Sequence, residues 1–289
     1  MTGAYLDRLA ARSAATGTVL CLGLDPDPSA LPAGFAPDIG GVEAFCRVVL
    51  DAALPYAAAV KPNLAFFEAF GSEGLAVLER IRTTLPDDVL LIADAKRGDI
   101  GSTAARQAVA LFDRLGADAV TVNPYLGEQA VSPLLERTDR FAYVLCRTSN
   151  PGAGELQDLV VAGGDGAPAE PLHLRVARRV ATWGPGGTVG LVVGATAPRE
   201  LADIRAVAPG LALLVPGLGA QGGEIEPVLA SGPANAPPAG GRPGGGLLVN
   251  VSRSIAGAAT GTAARPKADP GALVAAAAAE WARRLPVLS

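Results

Sequence analysis

The sequence predicts a (β/α)8 barrel (TIM-type α/β fold) forming one domain over residues 1–289, and three observations carry that prediction. Eight short runs, at 19–24, 57–61, 89–93, 119–122, 141–146, 188–193, 211–215 and 247–251, are apolar almost throughout, as strands covered on both faces are. The stretches between them, 43–57 and 103–115 among others, repeat apolar residues at helical spacing. Eight alternating strand and helix units close into a barrel. An open doubly wound sheet would announce itself by a glycine fingerprint after the first strand, and here Leu24 runs into Asp25-Pro26-Asp27-Pro28 instead.

Barrels place their active sites at the C-terminal ends of the strands, so polar residues there are read in chain order. The first run ends in Asp25, the second in Lys61-Pro62-Asn63 and the third in Asp94-Ala95-Lys96-Arg97-Gly98-Asp99-Ile100. Asp94 and Lys96 share a face if the strand continues through both, and Lys61 on the neighbouring strand joins them. Desolvating several charges is costly and apolar packing would often be as stable, so charges of alternating sign at one rim point to chemistry. Asp99 has a second reading as an N-cap of the helix through Thr103 to Leu115. The fifth run ends in Arg147-Thr148-Ser149-Asn150-Pro151-Gly152, which fits a plain turn as well as a ligand contact.

The seventh run leads into Pro216-Gly217-Leu218-Gly219-Ala220-Gln221-Gly222-Gly223 and the eighth into Ser252-Arg253-Ser254. Barrels commonly bind phosphate after strands 7 and 8, where glycines let backbone N–H groups approach the anion. Arg253 supplies a charge-assisted, bidentate clamp. A phosphate monoester is the expected substrate.

Composition narrows the function further. With 28 acidic and 24 basic residues, a net charge of −4 and no basic stretch, nucleic acid is not an expected partner. Hydrophobic residues make up 49%, yet no apolar run approaches the ~18 residues of a membrane span, so no membrane association is expected. The opening residues lack the apolar core and cleavage site of a signal peptide, which predicts a cytoplasmic protein. Cys21, Cys46 and Cys146 are too scattered for a disulfide framework or a zinc site and read as core residues. The single histidine, His173, excludes a multi-histidine metal site within one chain.

Positive charge is written as arginine 21 times and as lysine only at Lys61, Lys96 and Lys267. An ammonium has a tunable pKa and can release a proton, whereas a guanidinium stays protonated. Lys267 falls in a Pro/Gly-rich loop; Lys61 and Lys96 fall at strand ends. Residues 231–246 and 257–270 are poor in large apolar side chains and read as flexible loop insertions, with a mobile active-site lid as the other reading.

Taken together, Asp25, Lys61, the segment Asp94-Ala-Lys96-Arg-Gly-Asp99-Ile100-Gly-Ser-Thr103, Pro216-Gly-Leu-Gly-Ala-Gln221 and Ser252-Arg253 resemble the orotidine 5'-phosphate decarboxylase family over roughly residues 19–256. Lys61-Pro-Asn-Leu-Ala-Phe-Phe-Glu and Thr148-Ser-Asn-Pro-Gly resemble its longer bacterial branch. The resemblance implies a homodimer with shared active sites, Lys61, Asp94 and Lys96 of one subunit being joined by Asp99, Ile100 and Thr103 of the other. It also implies that Asp25 and Thr103 hold ribose hydroxyls, Ser149 contacts the pyrimidine, Pro216 lines the base pocket, and Gln221 and Arg253 grip the phosphate. No metal or organic cofactor is implied. Two departures, the long insertion before the eighth strand and Ser252 in place of a common glycine, bear on the geometry of the phosphate loops.

Loss of CO2 from C6 of orotate leaves a carbanion with no ordinary electron sink, so placed charges must stabilise it. Lys96 fits that task and can then deliver the proton, with Asp94 and Asp99 keeping it charged and oriented. Three rival readings stay open at this point: a magnesium-dependent sugar-phosphate decarboxylase or aldolase of the same superfamily, a Schiff-base aldolase, and a non-catalytic nucleotide-binding barrel.

Overall fold

Eight parallel strands close on themselves in the order β1-β8-β7-β6-β5-β4-β3-β2, each hydrogen-bonded to its neighbour in sequence and β8 to β1. They are β1 (Leu20–Leu24), β2 (Ala59–Pro62), β3 (Leu90–Arg97), β4 (Ala119–Val122), β5 (Phe141–Arg147), β6 (Val189–Val193), β7 (Ala212–Pro216) and β8 (Leu247–Val251). The computed structural model describes residues 4–163, 168–219, 221–264 and 269–288. Every expected strand is present within a residue or two, and β3 and β5 run further toward the rim than their apolar runs suggested. One element was not expected, an antiparallel ribbon of Val160–Val161 with Glu170–Pro171, too short to leave a periodic signal.

Side chains alternate between two cores, as the pleat of a strand requires. Leu20, Leu22, Val60, Leu91, Val120, Val144, Leu191, Leu213 and Val249 pack outward against the helices. Cys21, Ala59, Leu90, Ile92, Ala119, Phe141, Tyr143, Leu214 and Leu248 fill the barrel interior. Following the interior positions along each strand reaches Asp25, Lys61, Asp94, Thr121, Pro216 and Asn250 at the C-terminal rim. The site is therefore the top layer of the inner core, made polar.

The lower end of the barrel is sealed by the helix Tyr5–Thr16. Its Tyr5 is fully buried, stacks on Phe141 with ring centroids 4.6 Å apart, and has its hydroxyl 3.2 Å from that of Tyr143. Beside this plug the Asp118 carboxylate, buried, accepts from Arg8 at 2.5 Å and from the Leu91 N–H at 2.9 Å.

The Gly/Pro-rich segment 231–246 corrects two expectations. It is packed, not a loose extension: Ala234 and Ala239 are buried, and the N–H groups of Ala234, Asn235 and Ala239 donate to the carbonyls of Gly245, Pro209 and Gly210. It also lies far from any phosphate loop, because a connection from helix Ile225–Ser231 into the start of β8 belongs to the N-terminal end of the barrel. Small residues serve close approach there: a Cβ on Gly210 would stand 2.0 Å from the Pro237 carbonyl oxygen. Arg205 fastens the segment, its guanidinium donating to the carbonyls of Ser231, Gly232, Ala208, Pro209 and Leu211, and burial pulls its pKa down to about 10. In the second expected insertion, residues 265–268, with Lys267, lie outside the described residues, while 257–264 form 3-10 turns.

Candidate active site

A cavity of about 500 Å3 opens at the C-terminal ends of the strands. Its charged floor comes from β2 and β3. Asn63 bridges Asp94 across the two parallel strands, and Lys61, two residues earlier, faces the same way. Its Nζ lies 2.6 Å from Asp94 Oδ2, and Lys96 Nζ lies 2.6 Å from Asp94 Oδ1, so one carboxylate is shared by two ammonium groups. Lys61 is buried, with 5% of its side chain exposed, whereas half of the Lys96 side chain is open to the cavity mouth.

Burial opposes the Lys61 charge, but Asp94 and then Asp25 outweigh it and raise its pKa. Burial likewise pushes against ionisation of Asp94, and Lys61 and Lys96 overcome it, holding the carboxyl well below the ordinary carboxylate range. Cys21, on the layer below, is pushed up to about 12 by burial and stays a thiol.

Asp94 and Lys96 meet, but not by the simple alternation expected of a continuous strand. Ala93 pairs with Val120 and Arg97 with Val122, so four steps of β3 match two of β4 and the chain bulges between them. Lys96 sits at the bulge with φ +49°, in the left-handed region that side chains rarely adopt. Thr121 of β4 fills the bulge: its hydroxyl accepts from the N–H groups of Ala95 and Lys96 and donates to Asp94 Oδ1, each at 3.0 Å.

The opposite wall carries the groups expected to hold phosphate. Gln221 and Arg253 line the cavity, with Pro216 and Ser149 between β5 and β7, and the Ser149 hydroxyl donates to Gln221 Oε1 at 3.1 Å. Gly219 has φ +77°, and a Cβ there would lie 2.2 Å from Ser254 Oγ, so a glycine is what lets the loops after β7 and β8 close together. Asp25 completes the lining; its Oδ1 and that of Asn250 are buried and have no hydrogen-bond partner among the described residues. Both thus lack the partner that buried polar atoms usually have.

Three expected site residues are not brought into this cavity. Asp99, Ile100 and Thr103 lie on the loop after β3 and the first turn of helix Gly101–Ala108, with Ile100 71% exposed. Asp99 does not cap that helix at N2 or N3; among the described residues its side chain accepts only from the N–H of Ile100, at 2.7 Å. This loop is tied to the segment after β4 by Asp99 N–H to Ala130 C=O at 3.1 Å, and that segment exposes Tyr125 and Leu126. Sequence reasoning in turn missed Asn63, Thr121, Gln157 and Asn250 as lining residues. For Thr121 and Asn250 the signal was there, since each stands two residues beyond an interior position of its strand, Ala119 and Leu248, and Asn63 closes the second run without a role assigned to it.

The sequence model of the family described as orotidine 5'-phosphate decarboxylase / HUMPS matches residues 18–267. The chain belongs to that family. An orotidine 5'-phosphate decarboxylase of Roseiflexus castenholzii is 46% identical over 267 residues, covering 92% of this chain and 90% of that one. One from Halorubrum lacusprofundi is 47% identical over 252 residues, covering 87% of each. Among solved structures, the OMP decarboxylase of Leishmania donovani superposes with a TM-score of 0.78 at 38% identity, covering 97% of both chains. Membership of the decarboxylase family accords with the barrel and with the Asp94-Ala-Lys96-Arg-Gly-Asp99 segment at its rim.

Proposed function

We propose that the protein is a carboxy-lyase that converts orotidine 5'-phosphate to UMP in pyrimidine biosynthesis, in the cytoplasm and without a metal or organic cofactor. The observation that carries this reading is Asp94 held between Lys61 and Lys96 on β2 and β3, across the barrel mouth from Gln221 and Arg253. Phosphate at Gln221 and Arg253 and the pyrimidine beside Ser149 and Pro216 set C6 over Lys96, with Asp25 on the ribose. The bond from C6 to the carboxylate carbon breaks, the electron pair stays on C6 and CO2 departs. The Lys96 ammonium stabilises the developing charge and donates its proton to C6. Its half-open side chain then regains a proton from solvent. Lys61, buried, keeps Asp94 ionised throughout.

The set is completed by a second copy of the chain. Asp99, Ile100 and Thr103 lie outside the cavity of their own chain, on a loop bonded to the segment that exposes Tyr125 and Leu126, which suits an interface where they enter the partner's site. The deciding experiment follows the fall in ultraviolet absorbance when the protein meets orotidine 5'-phosphate in EDTA, with Lys96→Ala as control. Rapid loss that vanishes in the variant is expected. No loss by folded protein, or loss only after magnesium is restored, would overturn the reading.

A further inference from the structure

We propose that Thr121 is a positioning residue whose hydroxyl holds the bulge in β3 that presents Lys96 to the cavity and anchors the carboxylate that keeps Lys96 in place. The inference rests on the reading of Lys96 as the proton donor. Successive N–H groups of an extended strand point to opposite sides, so no single acceptor can serve two in a row. Thr121 Oγ1 does so for Ala95 and Lys96, at 3.0 Å each, which requires the chain to turn between them. That turn falls at Ala95, and the residue it leads into, Lys96, is left-handed with φ +49°. A lysine in that region persists only where its surroundings over-determine it.

The hydroxyl has one proton and two lone pairs, and all are used: both lone pairs on these N–H groups, the proton on Asp94 Oδ1 at 3.0 Å. That bond also settles which oxygen Lys96 meets, since Lys96 Nζ is 2.6 Å from the same Oδ1 while Lys61 takes Oδ2. Thr121 touches the backbone and the carboxylate, not the ammonium. Its effect on chemistry therefore passes through Lys96 and Asp94.

The test compares Thr121→Val, which keeps shape and loses the hydroxyl, with Thr121→Ser, which keeps it. Thr121→Val is expected to lower kcat for orotidine 5'-phosphate by about 100-fold with KM within about 3-fold, and Thr121→Ser to stay within about 3-fold of wild type in both. Affinity for UMP, which lacks the reacting carboxylate, is expected to hold. In crystals of Thr121→Val, residue 96 is expected to leave the left-handed region. Equal losses in the two variants, kcat of Thr121→Val within about 2-fold of wild type, or an unchanged φ at residue 96 would each overturn the proposal. If Thr121→Val does not fold, Thr121→Ala takes its place; failure of both while Thr121→Ser folds would also overturn it, because the hydroxyl would then be supporting the barrel itself. Wild-type protein inert toward the substrate would refute the decarboxylase reading instead, and the backbone at residue 96 would still decide the part played by Thr121.

Discussion

Lys61 Nζ rests 2.6 Å from Asp94 Oδ2 at the bottom of the cavity, and the two groups hold each other charged. Lys61 has no route to solvent comparable to that of Lys96, whose side chain is ten times more exposed. On the proposed mechanism the two lysines of one carboxylate divide the labour: the buried one fixes charge and the open one exchanges a proton.

Replacing Asp94 by Asn leaves the buried Lys61 ammonium facing a neutral amide. Removal of one partner of a buried pair costs about 3–5 kcal/mol, and urea denaturation of Asp94→Asn should show a loss of that size together with loss of turnover. The pH dependence has a definite sign. Because the folded pKa of Asp94 lies below its unfolded value, its contribution is present above about pH 4 and is lost as pH falls through the folded value. Stability of the wild type should therefore fall more steeply than that of Asp94→Asn below about pH 4. The raised Lys61 contributes below its unfolded pKa, and that contribution is lost as pH rises through the folded one.

Lys96→Ala removes the proposed proton donor from a half-exposed position, so the barrel should survive while turnover falls by about 1,000-fold or more. Circular dichroism and the absorbance assay together check both halves.

Arg253→Ala should act on binding more than on the bond-breaking step. Loss of a charge-assisted clamp on phosphate is expected to raise KM by about 10- to 100-fold and to weaken UMP in parallel, measured by steady-state kinetics and product inhibition.

Shared sites can be tested by mixing. In the proposed dimer, Lys96→Ala and Asp99→Ala homodimers should each be nearly inactive, but a hybrid has one site carrying both defects and one carrying neither. Random re-association of equal amounts should restore about a quarter of wild-type activity. No recovery in verified hybrids would show that each chain uses its own Asp99.

Arg205 offers the contrasting case of a buried charge far from the chemistry. Arg205→Met strands five carbonyls that the guanidinium now serves, and a loss of about 2–4 kcal/mol in urea denaturation is expected with kcat and KM unchanged.

The barrel was legible because each strand is buried on both faces and writes a continuous apolar run, such as 89–93 or 247–251. The charged rim was legible because lysine is so rare here that Lys61 and Lys96 stand out. Thr121 was hidden by its own suitability: a β-branched residue in Ala119–Val122 looks like an ordinary strand position, and its importance appears only when the neighbouring strand bulges. Segment 231–246 was misread because glycine and proline lower the apolar content that signals a core, while the same small residues let backbone meet backbone at Gly210 and Pro237. No local pattern could have shown that Asp99 turns away from its own cavity, since that depends on where the loop after β4 ties it.

The bulge between Ala93 and Arg97 carries a left-handed lysine, a cost that the smaller irregularity between Leu145 and Arg147 of β5 does not share. A version of this chain shortened by Ala95 and Lys96 could pair β3 with β4 without interruption, relieve a left-handed lysine and close a more regular ladder, and it would have no proton to give. On the reading of Lys96 as the proton donor, this stretch of β3 is where a descendant released from catalysis should first drift toward an even strand.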